Sequence, residues 1–106
     1  MARPKKMHAE ELSAALAQLP LWTLVDGKLR RELQFDDFVT AFGFMTSVAL
    51  VAEKMDHHPD WFNVYGRVVI NLNTHDADGI TVLDTELAAR VDAIAAPLLG
   101  GVGGLD

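Results

Sequence analysis

The chain contains no cysteine among its 106 residues. Disulfide bonds, thiolate nucleophiles and cysteine-based zinc or iron–sulfur sites are therefore excluded. Any acid–base or nucleophilic chemistry must come from His, Asp, Glu, Tyr, Ser or Thr side chains, or from a bound cofactor. Only four histidines are present, so their positions carry much of the information about such chemistry.

Positive charge is also scarce, with nine Lys and Arg residues against fifteen Asp and Glu and a net charge of −6. Such a surface repels nucleic-acid phosphates and gains nothing from an anionic membrane. The one basic cluster, Arg3, Lys5 and Lys6, has no apolar h-region behind it and is not typical of a signal peptide. No apolar run approaches the roughly 20 residues of a membrane span. We therefore expect a cytoplasmic protein without a direct nucleic-acid or membrane partner.

The chain has only eight glycines and four prolines, and half of its residues are apolar. This composition is typical of a globular protein rather than a disordered or fibrous one. A length of 106 residues fits a single folded unit. We expect one domain over residues 1–106, with frayed ends at 1–7 and 100–106.

Apolar spacing and turn residues divide the chain into seven elements. Asp26-Gly27 predicts one tight hairpin turn, and Gly66-Arg67 predicts a second. The predicted helices cover residues 8–19, 36–55 and 81–99, and the predicted strands flank the two turns. The order α-β-β-α-β-β-α predicts an α+β fold, in which three helices pack on one face of a four-stranded antiparallel sheet.

The helix predicted over residues 36–55 carries two adjoining apolar faces at 100° per residue. The first face is formed by Phe38, Ala41, Phe42, Met45, Ala49 and Ala52, and the second by Phe44, Val48, Val51 and Met55. Either the helix is buried in the centre of the domain, or the second face packs on another subunit. A chain this short offers few elements to cover both sides, which favours an oligomer.

Three of the four histidines are expected to share one edge of the domain. His57 and His58 lie in the stretch DHHPDW, where Pro59 ends the preceding helix and forces His58 out of the α region. The hairpin that begins near Trp61 runs out and returns, which brings His75 back to the same edge. Imidazole exchanges protons near neutral pH, so these side chains are candidates for acid–base chemistry. Acidic residues flank them at Asp56, Asp60 and Asp76.

Other interpretations of these residues remain open at this point. A His-His pair before a proline is also typical of a polar helix cap and turn. Three histidines and an acid would suit zinc, although no HxH or HxxxH spacing is present. Thr81 and Asp84 form a T-x-x-D pattern that helix capping alone explains. Trp61, Phe62 and Tyr65 are typical of a core or a sheet face, but an aromatic ring here could also stack on a flat heterocycle.

The stretch DDFVTAFGFMTSVALVAEKMDHHPDWFNVYGRVVINLNTHDADGIT, followed by Asp84, resembles the pterin-4a-carbinolamine dehydratases. That family also includes a dimerisation cofactor of a homeodomain transcription factor. Its pattern is an acid, three residues, His-His-Pro, an aromatic, a later His and then an Asp. The matching residues here are Glu53, His57-His58-Pro59, an aromatic in WFNVY, His75 and Asp84.

The resemblance implies dehydration of 4a-hydroxytetrahydropterin to quinonoid dihydropterin, which recycles the pterin of aromatic amino-acid hydroxylases without a metal or other cofactor. For that reaction we assign the acid and base roles to His57 and His75, and ring orientation to His58. Glu53, one helical turn before His57, either orients His57 or is a solvated helix residue. The resemblance also implies a dimer or tetramer built partly through the 36–55 helix. The substrate-binding residues it implies are Asp56, His57, His58, Asn73, Thr74, His75 and Asp76, supported by Glu53, Pro59, Trp61 and Asp84.

At Asn73 the family more often has a small hydroxyl residue.

Two other functions compete with the dehydratase. One is a non-catalytic dimerisation or assembly module with a vestigial pterin site, which would have no need of the complete histidine set. The other is a metal-dependent hydrolase.

Overall fold

The structure, a computed structural model that describes residues 4–99, contains three α-helices and one four-stranded antiparallel sheet within that range. The helices are α1 (Ala9–Ala17), α2 (Phe38–Met55) and α3 (Val82–Ala95), and the strands are β1 (Thr23–Val25), β2 (Lys28–Gln34), β3 (Asp60–Val64) and β4 (Arg67–Leu72). Short 3₁₀ turns follow β4 at His75–Ala77 and α3 at Ala96–Leu98. The strand order is β1-β2-β4-β3, so the predicted element order and sheet are confirmed.

Both predicted hairpins form, and both turns use backbone in the left-handed region. Asp26 and Gly27 have φ values of 51° and 78°, as the two central positions of a type I′ turn require. In the second hairpin the turn lies one residue earlier than predicted, with Tyr65 at φ 55°. Gly66 approaches the Phe35 backbone closely, and the Phe35 N–H donates to the Gly66 carbonyl at 2.7 Å. A side chain at Gly66 would collide with the Phe35 carbonyl.

The long helix α2 has a defined stop at each end. Asp37 caps its N-terminus and accepts the Thr40 N–H at 2.7 Å, a hydrogen bond that lowers the pKa of Asp37. At the other end Asp56 adopts left-handed φ and ψ values of 53° and 43°. The Asp56 N–H then donates to Glu53 O, and the His57 N–H donates to Ala52 O. These two bonds form a Schellman motif, so the chain reverses just before the histidine pair.

The core lies between all three helices and one face of the sheet. The cross-strand pairs Leu29↔Leu72 and Leu33↔Val68 place four fully buried apolar side chains on that face. On the opposite face, Val69 is buried between its neighbours Glu32 and Phe62. The buried core cluster is made up of Leu19, Trp22, Leu29, Leu33, Phe35, Ala41, Phe44, Val48, Ala52, Val68, Ile70, Leu72, Ile80, Leu87, Ala88, Val91 and Ala95.

Helix α2 buries one side and exposes another, but the division between them differs from the predicted one. Ala41 and Ala52 face the core together with Phe44 and Val48. The core contacts the middle of the combined apolar surface of the helix, so the buried residues come from both predicted faces. The large apolar side chains that stay exposed on this helix are Phe38, Val39, Phe42 and Leu50.

By length and composition alone, α2 is long and apolar enough to span a membrane. Such a helix is not expected from the sequence, because no uninterrupted apolar run approaches that length. It is 18 residues long, and the two charged side chains Glu53 and Lys54 lie in its last turn. About a fifth of the helix, 22%, is buried within the chain. Met45, Val51 and Met55 are partly buried against the core as well, so the exposed residues of the helix are those available for other contacts.

The ends of the chain were expected to be frayed over 1–7 and 100–106. Residues 1–3 and 100–106 lie outside the described range. Residues 4–7 run alongside the loop that follows β4, and the Met7 N–H donates to the Ile80 carbonyl at 2.7 Å.

Candidate active site

The first histidine of the pair, His57, is buried against a carboxylate from another element. Its Nε2 lies 2.6 Å from Oδ1 of Asp84, with 4% of the His57 side chain and 0% of the Asp84 side chain exposed. His57 follows the reversal at the end of α2, and Asp84 lies in the first turn of α3. The packing of α2 against α3 therefore creates this contact.

Asp84 is held in place by two threonines. Its Oδ2 accepts the Thr81 backbone N–H at 2.9 Å and the Thr74 hydroxyl at 2.7 Å. The Thr74 and Thr81 hydroxyl oxygens lie 2.7 Å apart. Thr74 gives its single proton to Asp84, so Thr81 must donate to Thr74. All three side chains are buried, and the chain of hydroxyls fixes the carboxylate in one orientation.

This arrangement defines the hydrogen-bonding state of His57. A carboxylate can only accept, so the short contact has the His57 Nε2–H donating to Asp84 Oδ1. In the neutral ring, Nδ1 is then the nitrogen that carries the lone pair. The capping pattern Thr81-x-x-Asp84 is confirmed, but capping alone does not account for Asp84, because its other oxygen orients a histidine.

The second histidine, His58, points the other way. Its Nε2 lies 2.8 Å from Oε1 of Glu53, with 58% of the histidine side chain and 81% of the glutamate side chain exposed. The expectation that Glu53 orients His57 is therefore corrected: Glu53 contacts His58, and Asp84 contacts His57. Because the chain reverses at Asp56, the two adjacent rings diverge, and only the outer one can reach back to the last turn of α2.

The third histidine, His75, begins a closed loop after β4. Thr74 N donates to Gly79 O at 2.8 Å, and this bridge closes a loop that contains the 3₁₀ turn His75–Ala77. The His75 side chain is exposed, whereas Thr74 at the base of the loop is buried. Thr74 was expected among the substrate contacts, but its hydroxyl instead serves Asp84.

The predicted edge of the domain does bring the three histidines together. A cavity of about 190 Å³ is lined by Asp56, His57, His58, Asn73, His75 and Asp76, and we call it the histidine cavity. These are the expected substrate-binding residues apart from Thr74. Of the supporting residues, Trp61 lies on β3 and packs against the core, and Pro59 is partly buried just before that strand.

The arrangement of possible metal ligands can be compared with that of a metal site. Within residues 4–99, no group of three or more His, Asp or Glu side chains is arranged to hold a metal ion. His57 contacts Asp84, and His58 contacts Glu53.

Sequence reasoning did not identify Thr81 as a site residue, although the T-x-x-D pattern held the signal. The pattern predicts that Asp84 accepts the Thr81 N–H, which fixes one carboxylate oxygen and leaves the other free to take a second role.

Comparison with known proteins points to one family. The profile of the family described as pterin 4 alpha carbinolamine dehydratase matches residues 5–94. A protein of Solibacter usitatus, provisionally named pterin-4-alpha-carbinolamine dehydratase, is 57% identical over 91 residues, which cover 86% of this chain and 96% of that protein. A protein of Burkholderia multivorans with the same provisional name is 54% identical over 93 residues, which cover 86% of this chain and 91% of the relative.

Two solved structures are similar as well. A transcriptional coactivator/pterin dehydratase from Brucella melitensis superposes with a TM-score of 0.82 at 47% identity, over 86% of this chain and 99% of that one. A pterin dehydratase-like protein described as a RuBisCO assembly factor in the alpha-carboxysome superposes with a TM-score of 0.59 at 23% identity, over 70% of this chain and 86% of that one. The second likeness concerns the fold alone.

Proposed function

The chain belongs to the pterin 4 alpha carbinolamine dehydratase family, and on that premise we propose that it dehydrates 4a-hydroxytetrahydropterin to quinonoid dihydropterin. The reaction would recycle the pterin cofactor of aromatic amino-acid hydroxylases in the cytoplasm, within one domain over residues 1–106. No metal or other cofactor takes part in it.

The reaction needs one proton delivered and one removed. A lone pair of the ring nitrogen beside C4a forms the new C=N bond as the C4a–O bond breaks and its electrons leave with oxygen. A proton delivered to the departing hydroxyl completes a water molecule, and a ring nitrogen loses a proton. Two imidazoles beside a flat ring can perform both transfers.

The roles of the histidines follow from their surroundings. His57 is assigned as the base, because its donation to Asp84 leaves Nδ1 with the lone pair. His75, on the loop across the histidine cavity, is assigned as the acid that protonates the departing hydroxyl. The more exposed His58 is assigned to orienting the ring, with Glu53 steadying it.

The observation that carries this proposal is the buried His57–Asp84 contact beside an open cavity. A histidine that served only as a helix cap would have no reason to be oriented by a fully buried carboxylate, itself held by two threonines. Similar carboxylate–histidine pairs orient general bases in other enzymes.

The test is a stopped-flow absorbance assay with freshly generated 4a-hydroxytetrahydropterin, with and without the protein. We expect His57→Ala and His75→Ala each to slow dehydration by on the order of 10²-fold or more. His8→Ala is the control, because His8 is exposed and does not line the histidine cavity, and its rate should equal that of the wild type. Wild-type rates in both cavity variants would contradict the assignment.

We also propose a homodimer or homotetramer built through the helix that spans 36–55. Phe42 and Leu50 on this helix are more than half exposed, and Val39, one turn before Phe42, is still more exposed. Burying such side chains against another copy removes apolar surface from water, which stabilises an oligomer. Phe42→Glu combined with Leu50→Glu should yield monomers in sedimentation velocity, whereas Leu21→Glu, in an equally exposed residue outside α2, should not.

A non-catalytic binding or assembly module is the second candidate. The same exposed surface of α2 favours it, and the two solved relatives are named for coactivator and assembly roles. Such a role would use α2 rather than the histidine cavity, and would therefore survive loss of the histidines. If the wild-type protein does not accelerate dehydration, the binding or assembly role becomes the favoured function.

A further inference from the structure

A second cavity adjoins the histidine cavity and is lined by a pair of lysines that the proposed reaction does not use. It measures about 290 Å³ and is lined by Pro4, Lys5, Lys6, Asp76 and Ala77, and we call it the lysine cavity. Asp76, in the 3₁₀ turn that carries His75, lines both cavities. The two cavities are therefore neighbours on either side of this residue.

The lysines are placed by the same loop that places His75. Met7 N donates to Ile80 O, which ties the N-terminal segment to the end of that loop. The aliphatic stem of Lys6 lies against Gly79, where any larger side chain would collide with the Cγ, Cδ and Cε atoms of the lysine. Gly79 is itself bridged to Thr74. The N-terminal segment is thus part of the site's construction.

The sizes of the two cavities favour joint occupation. Ligand sites in proteins usually enclose about 300 to 1,000 Å³. The histidine cavity, at about 190 Å³, is smaller than that range, as is the lysine cavity at about 290 Å³. Together they fall within it. A ligand that fills this space would extend past Asp76, from the histidines to the lysines.

The charged residues that line the lysine cavity favour an anionic ligand. Two of the residues that line the lysine cavity are lysines and one, Asp76, is acidic, although the chain as a whole carries a net charge of −6. At physiological ionic strength charges are screened beyond roughly 8 Å, so a ligand in this cavity responds mainly to Lys5, Lys6, Asp76 and the neighbouring Asp78. We propose that the lysine cavity binds an anionic group, a phosphate or a carboxylate, at the end of the C6 side chain of a pterin whose ring occupies the histidine cavity.

This inference rests on the proposed function and is tested by binding rather than by turnover. The probes are a 7,8-dihydropterin with a neutral hydroxyalkyl side chain, its phosphate monoester, and an analogue of equal length that ends in a carboxylate. Calorimetric titration of the full chain should give an affinity about three- to tenfold higher for an anionic probe than for the neutral one, as expected for partly exposed charge-assisted hydrogen bonds. The phosphate and carboxylate arms distinguish the two anions, and the gain should shrink at high salt.

The variants Lys5→Met and Lys6→Met remove the charge but keep the aliphatic stem, including the stem that packs on Gly79. Each should lower affinity for the anionic probe by a few fold and leave the neutral probe unchanged. Arg90→Gln, on the exposed side of α3, removes one positive charge away from both cavities and should change neither affinity. Equal affinity of the wild-type protein for all three probes would overturn this inference alone. Binding of none of them would count against the pterin site itself.

Discussion

His57 and His58 are adjacent in the sequence, and each contacts one carboxylate at hydrogen-bonding distance, 2.6 Å to Asp84 and 2.8 Å to Glu53. They differ in exposure. The first pair is almost fully buried, whereas more than half of each side chain in the second pair is in solvent. Similar contact distances therefore describe two pairs with very different surroundings.

The difference has a physical consequence. An exposed ion pair contributes about 0 to 1 kcal/mol, since water and salt already solvate both partners. Breaking a buried pair costs about 3 to 5 kcal/mol, because the remaining group is left without a partner in a poorly solvating site. Asp84 should therefore determine both the stability of the fold and the state of its histidine, whereas Glu53 should influence only the position of its ring.

The largest effect is expected for Asp84→Asn. The Thr81 N–H forces the amide oxygen into the Oδ2 position, so the amide nitrogen must face His57. His57 must then accept at Nε2 and carry its proton on Nδ1, the wrong tautomer for a base. We expect kcat for dehydration to fall by on the order of 10²-fold or more, and the protein to lose about 1 to 3 kcal/mol of stability, because these buried hydrogen bonds lose their charged acceptor. Stopped-flow kinetics measures kcat, and urea unfolding measures the free energy of unfolding.

A variant of a second carboxylate on α3 is the control that distinguishes an effect on catalysis from an effect on stability. Asp92 accepts hydrogen bonds from Trp22 Nε1 at 2.9 Å and from Arg31, outside the histidine cavity. Asp92→Asn should therefore lower stability while kcat stays near the wild-type value. A similar loss of kcat in both variants would mean that Asp84 acts only through the fold.

An intermediate effect is expected for Thr74→Val, which removes the hydroxyl that donates to Asp84 and accepts from Thr81. Loss of a hydrogen bond to a buried charged group costs about 1 to 3 kcal/mol. Because Asp84 keeps the Thr81 N–H, kcat should fall by only about tenfold, and Thr74→Ser should restore it. Thr46→Val, on the exposed side of α2, is the control and should change stability by less than about 0.5 kcal/mol. Unchanged kcat in Thr74→Val would show that the carboxylate needs no support from the hydroxyls.

The contrast between the two histidines also marks the limit of what the sequence predicts. Asp26-Gly27 is a local signal, and the hairpin it predicts forms where expected. Pro59 was expected to end the long helix, but α2 already ends at Met55, where the left-handed Asp56 reverses the chain. The gathering of the three histidines follows from the return of a hairpin, which is also a local rule. The predictions of the hairpin and of the shared edge hold because each depends on a few neighbouring residues.

The partners of the histidines depend on packing between distant elements. Asp84 lies 27 residues after His57 and meets it only because α3 packs against α2. The sequence suggested Glu53 instead, one helical turn before His57, on the assumption that helical geometry continues to that residue. The left-handed conformation of Asp56 ends that geometry, so the helical spacing rule no longer applies at His57.

The smallest effect is expected for Glu53→Gln, which removes the charge beside His58 but keeps a hydrogen-bond acceptor of the same length. Because both side chains are exposed, stability should change by less than about 1 kcal/mol, and the change should disappear at high salt. If His58 only orients the pterin ring, KM should rise by a few fold while kcat stays within about threefold of the wild type. A loss of kcat as large as that of Asp84→Asn would mean that the exposed pair takes part in proton transfer, and that burial does not distinguish the two histidines.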